Sequence, residues 1–159
     1  MQMESAREDA RMSDTVGVDL RSAGWHKVKS PMAFLATIGP LWSRREDASW
    51  AYAIAADERH LNGLGVIHGG LITSFVDTVL AMLVWERIGH RPTATVQLNT
   101  QFIDTVREGE LVEARGEVIR AARSLVFVRC LVTVGDRSVA LADGVWKVLG
   151  QPAHAPPAP

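Results

Sequence analysis

The stretch HLNGLGVIHGG, residues 60–70, runs directly into LITSFVDTVLAMLVWE, residues 71–86, and these two segments decide the fold. Apolar residues recur through the second segment at helical spacing, which predicts one long helix over residues 70–86. Apolar side chains occupy most of the surface of this helix, which predicts that it is buried on nearly all sides. A narrow polar stripe interrupts this apolar surface and consists of Thr73, Ser74, Asp77 and Thr78. The stripe must meet a polar group or a partner subunit.

The triplet His68-Gly69-Gly70 stands at the start of this helix. The first N–H groups of a helix have no partner within it, so they can bind an anion or an oxygen that gains negative charge during a reaction. Asp77 lies seven residues beyond Gly70. At about 100° per residue, it falls within about 20° of the same helix face. An N–H donor and an ionisable group on one side of one helix predict an active site.

Strands are predicted on both sides of the helix, because the hydrophobic period changes from helical to alternating. The segments that alternate are residues 48–56, 93–103, 110–120, 125–134 and 138–149, and the last four are joined by short turns typical of an antiparallel meander. In the first strand after the helix, alternation groups Thr95 with Gln97, Asn99 and Gln101, opposite Val96, Leu98, Thr100 and Phe102. PMAFLATIGPL, residues 31–41, predicts a short N-terminal helix.

We therefore predict an α+β domain in which an antiparallel sheet of five to six strands wraps around one long central helix. Residues 1–30 are expected to form a partly frayed N-terminal extension, and residues 31–150 the domain itself. The Pro-rich segment QPAHAPPAP, residues 151–159, is expected to be a disordered tail.

Composition excludes several classes of protein. The chain has 159 residues and a formal net charge of −1, so no global field attracts nucleic acid or an anionic membrane, and we expect neither as a partner. Asp77 and Glu86 interrupt the longest apolar run, which argues against a membrane helix. Cys130 is the only cysteine, so it forms no internal disulfide and no cysteine-based zinc site, and a reducing cytoplasm is the expected compartment. None of the five His has the spacing of metal ligands within a helix.

The order strand, HLNGLGVIHGG, helix with Asp77, then TVQLNTQF opening the next strand resembles the hotdog-fold thioesterases of the phenylacetate-pathway (PaaI-like) family. The resemblance covers residues 34–150. It implies hydrolysis of an acyl-coenzyme A (acyl-CoA) thioester without a metal, cofactor or prosthetic group. It also implies a homodimer that pairs into a homotetramer, with each active site between two subunits.

Carried over residue by residue, the resemblance assigns roles to five residues. The N–H of Gly69 would hold the oxyanion, and Asp77 of the partner subunit would act as general base or as nucleophile. Asn62 and His68 would orient the substrate carbonyl or the attacking water, and Thr95 would assist that water. Four further residues are expected to bind the substrate: Gly70, Ser74, Arg123 and Ser124. Of these, Arg123 is suited to binding a CoA phosphate.

The same residues also have purely structural interpretations. Gly69 and Gly70 could form only a tight turn, Asn62 could shape an Asn-Gly turn, and exposed Arg residues are usually solvated surface charge. The same fold could also house an acyl-thioester hydratase or dehydratase, although no His follows Asp77 closely. A non-catalytic acyl-thioester-binding or regulatory protein, and a scaffolding oligomer, are the alternatives from other classes.

Overall fold

The structure is a computed structural model that describes residues 19–29, 33–47 and 49–150. The predicted Pro-rich tail and the first part of the N-terminal extension lie outside the described residues. Two helices and seven strands follow along the chain: β1 (His26–Lys27), α1 (Ala33–Ile38), β2 (Leu41–Glu46), β3 (Ser49–Ala55), α2 (Gly69–Arg87), β4 (Thr93–Phe102), β5 (Leu111–Ala121), β6 (Leu125–Val134) and β7 (Arg137–Val148). A 3₁₀ turn, Glu58–His60, precedes the loop that leads into α2.

The strands form one antiparallel sheet in the order β1-β2-β3-β5-β6-β7-β4. This confirms the predicted architecture of an antiparallel sheet around a central helix, the hotdog fold, with a short N-terminal helix. The sheet has seven strands rather than five or six. The additions are β1 and β2, which lie at one edge and carry no long alternating pattern.

Helix α2 lies against the inner face of the sheet and supplies the centre of the main core. Its buried residues recur at the predicted helical spacing: Leu71, Ile72, Phe75, Val76, Val79, Leu80, Leu83 and Val84. The expectation of burial nearly all round is wrong for the single chain, because the stripe with Ser74 and Asp77 is only half-buried and Trp85 is exposed. The sheet therefore covers one side of the helix and leaves the polar stripe accessible.

Helix α2 also contradicts the expectation that no segment of the chain is apolar enough to cross a membrane. Helix α2 has 19 residues and a mean hydropathy of 1.3, so it is long and apolar enough to cross a membrane in spite of Asp77 and Glu86. Half of that apolar window is buried inside the chain. Its packing against the sheet is that of a core helix.

A second, smaller core lies on the outer face of β2 and β3. Leu20 and Trp25, from the segment before β1, pack there against Trp42. The guanidinium of Arg44 lies 4.4 Å from the centre of the Trp25 ring, a cation–π contact. The described part of the N-terminal extension thus covers the outer face of β2 and β3.

The other end of the sheet is the free edge of β4. One side of this strand pairs with β7, and most of its residues are exposed. A ten-residue strand with an unpaired edge is a template for pairing with another strand.

Candidate functional site

The start of α2 has one N–H group that the surrounding chain does not use. His68 is the N-cap, and its Nδ1 accepts a hydrogen bond of 2.8 Å from the N–H of Gly70. The N–H of Leu71 donates to the carbonyl of His68. Among the described residues, the N–H of Gly69 has no such partner, so it is the donor available to a ligand at the positive end of the helix dipole.

The capping bond also fixes the tautomer of His68. A backbone N–H can only donate, so Nδ1 must be unprotonated and the hydrogen of the neutral ring must be on Nε2. The His68 side chain is exposed, which leaves Nε2–H free to donate to a substrate oxygen.

Both glycines at the helix start are explained by close contacts. A Cβ at Gly70 would lie 2.8 Å from Nδ1 of His68, so a side chain there would displace the cap. A Cβ at Gly69 would lie 3.0 Å from Cζ of Phe102, whose ring covers the first turn of the helix. Phe102, at the end of β4, is a site residue that the sequence analysis did not single out, because no local pattern marks a contact between Phe102 and Gly69.

The side chains of Asp77 and Thr95 are in direct contact within one chain. Oγ1 of Thr95 donates a hydrogen bond of 2.9 Å to Oδ1 of Asp77. The carboxylate is half-buried on the open stripe of α2, and its second oxygen remains available to water or substrate. A carboxylate that is held by one hydroxyl donor and partly open to solvent suits a general base or a nucleophile.

A β-bulge in β4 aims Thr95 at Asp77. The register with β7 shifts between Thr95 and Gln97, so that Val96 is an extra residue. Thr95 lies opposite the buried Trp146 and therefore shares the inner face with Thr100 and Phe102. The predicted alternation, which placed Thr95 on the face of Gln97, Asn99 and Gln101, is wrong at this residue because the bulge reverses the order of faces.

Asn62 shapes the loop before the helix. Its Oδ1 accepts hydrogen bonds from the N–H groups of Leu64 (2.8 Å) and Val66 (3.4 Å), and its own N–H donates to the carbonyl of Val66. These bonds match the turn-forming interpretation and leave only Nδ2 for a ligand. A direct role of Asn62 in the site stays a prediction.

The four predicted substrate-binding residues lie in two different regions. Gly70 and Ser74 are on the first two turns of α2, near Gly69. Arg123 and Ser124 form the exposed turn between β5 and β6, where the carbonyl of Ser124 accepts a hydrogen bond from the N–H of Val148. Val148 pairs with Thr93 at the opposite end of β4 from Phe102. A single chain therefore does not bring Arg123 close to Gly69.

A cavity of about 470 Å³ opens beside the helix start. Its lining is of mixed polarity: Asp104 and Thr105 contribute polar groups beside the apolar side chains of Ile67, Ile72, Phe102, Ile103, Val106 and Val139. The cavity reaches Gly69, so an apolar group bound there would place an attached carbonyl near the free N–H.

Cys130 takes no part in this site. The residue is buried in β6, and burial raises the pKa of its thiol to about 12. A thiol with this pKa is not a thiolate nucleophile near neutral pH.

Comparisons with known proteins agree with this geometry. The family model of the thioesterase superfamily matches residues 64–141. The candidate esterase PA0474 of Pseudomonas aeruginosa is 30% identical over 114 residues, which are 70% of this chain and 85% of that protein. Acyl-coenzyme A thioesterase 13 of Mus musculus is 25% identical over 88 residues, 55% of this chain and 63% of that protein.

Solved structures give the same result for the fold. A candidate thioesterase of Ralstonia eutropha JMP134, described as a phenylacetic acid degradation-related protein, superposes with a TM-score of 0.68 at 26% identity. The match covers 76% of this chain and 92% of that one. With its hotdog fold and its HGG helix start, the chain belongs to the thioesterase superfamily, as a PaaI-like thioester hydrolase.

Proposed function

We propose that this protein hydrolyses acyl-CoA thioesters at a site shared by two copies of the chain. The observation that carries the proposal is the separation of the two reactive groups along α2. Asp77 lies eight positions after Gly69, which is about 12 Å along a helix axis. An oxyanion donor and a base must both lie within about 3 Å of the reacting atoms. One chain cannot satisfy that requirement, whereas Gly69 of one copy and Asp77 of another can.

The free edge of β4 supports such an arrangement. Antiparallel pairing of two β4 strands around Asn99 places the bulge at Thr95 and Val96 opposite Phe102 of the other copy. Thr95 is bonded to Asp77, and Phe102 packs on Gly69. The same pairing would therefore bring Asp77 of each copy toward Gly69 of the other.

The chemistry at this site needs only groups that the two chains supply. The thioester carbonyl oxygen accepts hydrogen bonds from the Gly69 N–H and from Nε2–H of His68, which stabilise the negative charge that develops on it. As general base, Asp77 takes a proton from water while the water oxygen bonds to the carbonyl carbon. The C–S bond then breaks, and the thiolate leaves and takes up a proton. As nucleophile, Asp77 bonds to that carbon itself while the C–S bond breaks and the thiolate leaves and takes up a proton; water then cleaves the resulting anhydride into the free acid and the Asp77 carboxylate.

The basic end of the sheet favours CoA as the thiol. Three further cations belong to the same end of the sheet as Arg123: Arg91, Arg120 and Lys147. Within the part of the chain that the structure describes, none of these four residues is in an ion pair. In contrast, Arg115, Arg129 and Arg137 are paired with carboxylates. Pairing of two β4 strands brings this end toward the Gly69 of the other copy, where the nucleotide phosphates would meet it.

A mixing experiment tests the shared site. Asp77→Ala removes the base but keeps Gly69, whereas Gly69→Pro removes the N–H but keeps Asp77. We expect each variant to be inactive alone. Co-expression with two different tags, followed by purification on both, gives mixed dimers with one intact site of two, so activity should return to as much as about half of the wild-type value. A doubly tagged complex no more active than its parents would show that the site does not combine two chains.

Arg123→Ala tests CoA recognition. We expect the KM for an acyl-CoA to rise about tenfold, with a smaller rise at high salt, because a charge-assisted bond to a phosphate is lost. The KM for the same acyl group on pantetheine, which has no nucleotide, should not change. Arg129→Ala removes an exposed cation of the outer face and serves as control. An equal rise for both substrates would contradict phosphate recognition by Arg123.

Two further proposals concern assembly and location. The outer face of β6 and β7 exposes Phe127, Leu131 and Leu141, a surface suited to pairing of two dimers into the homotetramer implied by the resemblance. Sedimentation velocity measures that assembly directly, and a charged substitution at Leu141 should leave dimers.

The unpaired Cys130 supports a reducing, cytoplasmic compartment.

A further inference from the structure

In the described part of the chain, His60 is the only polar or charged residue that is buried, with 8% of its surface exposed. Both of its ring nitrogens bond to the backbone. Nδ1 accepts from the N–H of Asp57 at 3.0 Å, and Nε2 lies 2.8 Å from the carbonyl oxygen of Ile38, to which it donates. The ring thus closes the turn Glu58–His60 and ties it to the end of α1.

The backbone of His60 is the next link toward the site. Its carbonyl accepts a hydrogen bond of 2.8 Å from the N–H of His68. His68 in turn caps Gly70 through Nδ1 and precedes the free N–H of Gly69. A single backbone hydrogen bond therefore connects the turn that His60 closes directly to His68, the N-cap of α2.

We propose that His60 is a positioning residue that sets the helix start by fixing the direction of its own carbonyl. The bond from the Asp57 N–H to Nδ1 holds the turn closed, and the closed turn holds His68. The bond to Ile38 orients the ring. The effect expected on kcat rests on the proposed function. The effect expected on the position of His68 does not.

Three substitutions separate the two ring contacts. In His60→Asn, Oδ1 can take the place of Nδ1 and keep the bond from Asp57, while the link to Ile38 is lost. In His60→Gln, the amide reaches toward Ile38 and the acceptor for Asp57 is lost. His60→Phe fills the volume of the ring and loses both bonds.

The first readout is amide hydrogen exchange by NMR, which needs no turnover. We expect exchange at the His68 amide to accelerate at least about tenfold in the Gln and Phe variants and to remain near wild type in the Asn variant. The amide of Val128, in the centre of the sheet, serves as reference and should keep its protection. Unchanged exchange at His68 in the Phe variant, or equal acceleration at Val128, would overturn the proposal. If the Phe variant does not fold, the Asn and Gln variants decide alone.

The second readout is kinetic. Oxyanion donors act mainly in the transition state, so a displaced helix start should lower kcat and leave KM nearly unchanged. We expect a loss of about 10- to 100-fold in kcat for Gln, and recovery to within about threefold of wild type for Asn. A rise in KM without a fall in kcat, or no difference between Asn and Gln, would contradict a positioning role. If the wild type hydrolyses no thioester, the proposed function fails, whereas the exchange result at His68 stands by itself.

Discussion

Asp77→Asn is expected to lower kcat by about 10²–10⁴-fold while KM changes little, because the amide can neither accept the proton of water nor attack the carbonyl. The substitution keeps the fold, since Oδ1 of the new side chain can still accept the hydrogen bond that Thr95 now donates at 2.9 Å. The measurement is free-thiol release from short, long and aromatic acyl-CoA esters, with unfolding of both proteins followed in parallel.

A matched control for Asp77 is available on the same helix. Glu86→Gln also removes one carboxylate from α2, but Glu86 is exposed near the helix C-terminus, beside His90. This variant should keep wild-type kcat. If Asp77→Asn retains turnover, or if Glu86→Gln loses as much, the carboxylate of Asp77 is not the reacting group. Thr95→Val should give an intermediate loss, because it removes only the hydroxyl that orients the carboxylate.

The two possible roles of Asp77 predict different fates for the oxygen of water. In a single turnover in H₂¹⁸O with excess enzyme, a general base delivers the label to the product acid. A nucleophile leaves the label on Asp77 itself, because water attacks the mixed anhydride at the enzyme carboxyl. Mass spectrometry of the acid and of the peptide that contains Asp77 distinguishes the two.

Gly69→Pro is expected to lower kcat by about 10²–10³-fold, the usual effect of removing one oxyanion donor. Gly69 is the first residue of α2, where proline fits a helix and where its missing N–H breaks no bond within the helix. His68, with φ of −65° and ψ of 132°, already has the extended conformation that a residue before proline requires. The substitution thus removes a single donor at little cost to the fold.

Gly69→Ala separates the loss of the N–H from the added volume. Alanine brings the same Cβ, 3.0 Å from Cζ of Phe102, but keeps the N–H. The exposed Phe102 ring can move to make room, so this variant should keep most of its activity. Equal losses in the Ala and Pro variants would assign the effect to the contact with Phe102 and argue against oxyanion binding by Gly69.

Much of this protein follows from local sequence pattern. The helix predicted over residues 70–86 is Gly69–Arg87 in the structure, and the four strands after it lie within one residue of their predicted ends. These elements are predictable because helical and alternating periods reflect which side of each element faces the core. The same pattern places the HGG triplet at a helix start with Asp77 on the next turns, so the two groups that we propose to react are visible in the sequence.

Other features arise from contacts between distant segments, which local pattern does not record. The bulge that turns Thr95 toward Asp77 depends on pairing with β7, where Gly144 has no space for a Cβ because the carbonyl oxygen of Gln97 would lie only 2.6 Å away. The strand β2 has charged residues instead of an alternating pattern and forms through its pairing with β3. The ring of Phe102 on Gly69 and the buried ring of His60 are likewise contacts across the fold.

The sequence by itself therefore determined the elements, their order and the reactive groups on the central helix, since each depends on periodicity and capping within a few residues. Tertiary structure decided which of these groups meet. Asp77 and Gly70 share a helix face in sequence, yet about 12 Å of helix separates Asp77 from Gly69, and we propose that two copies bring these two residues together through the free edge of β4. Backbone pairing and the rigid rise of a helix set these distances, and neither is encoded in the side-chain pattern of one segment.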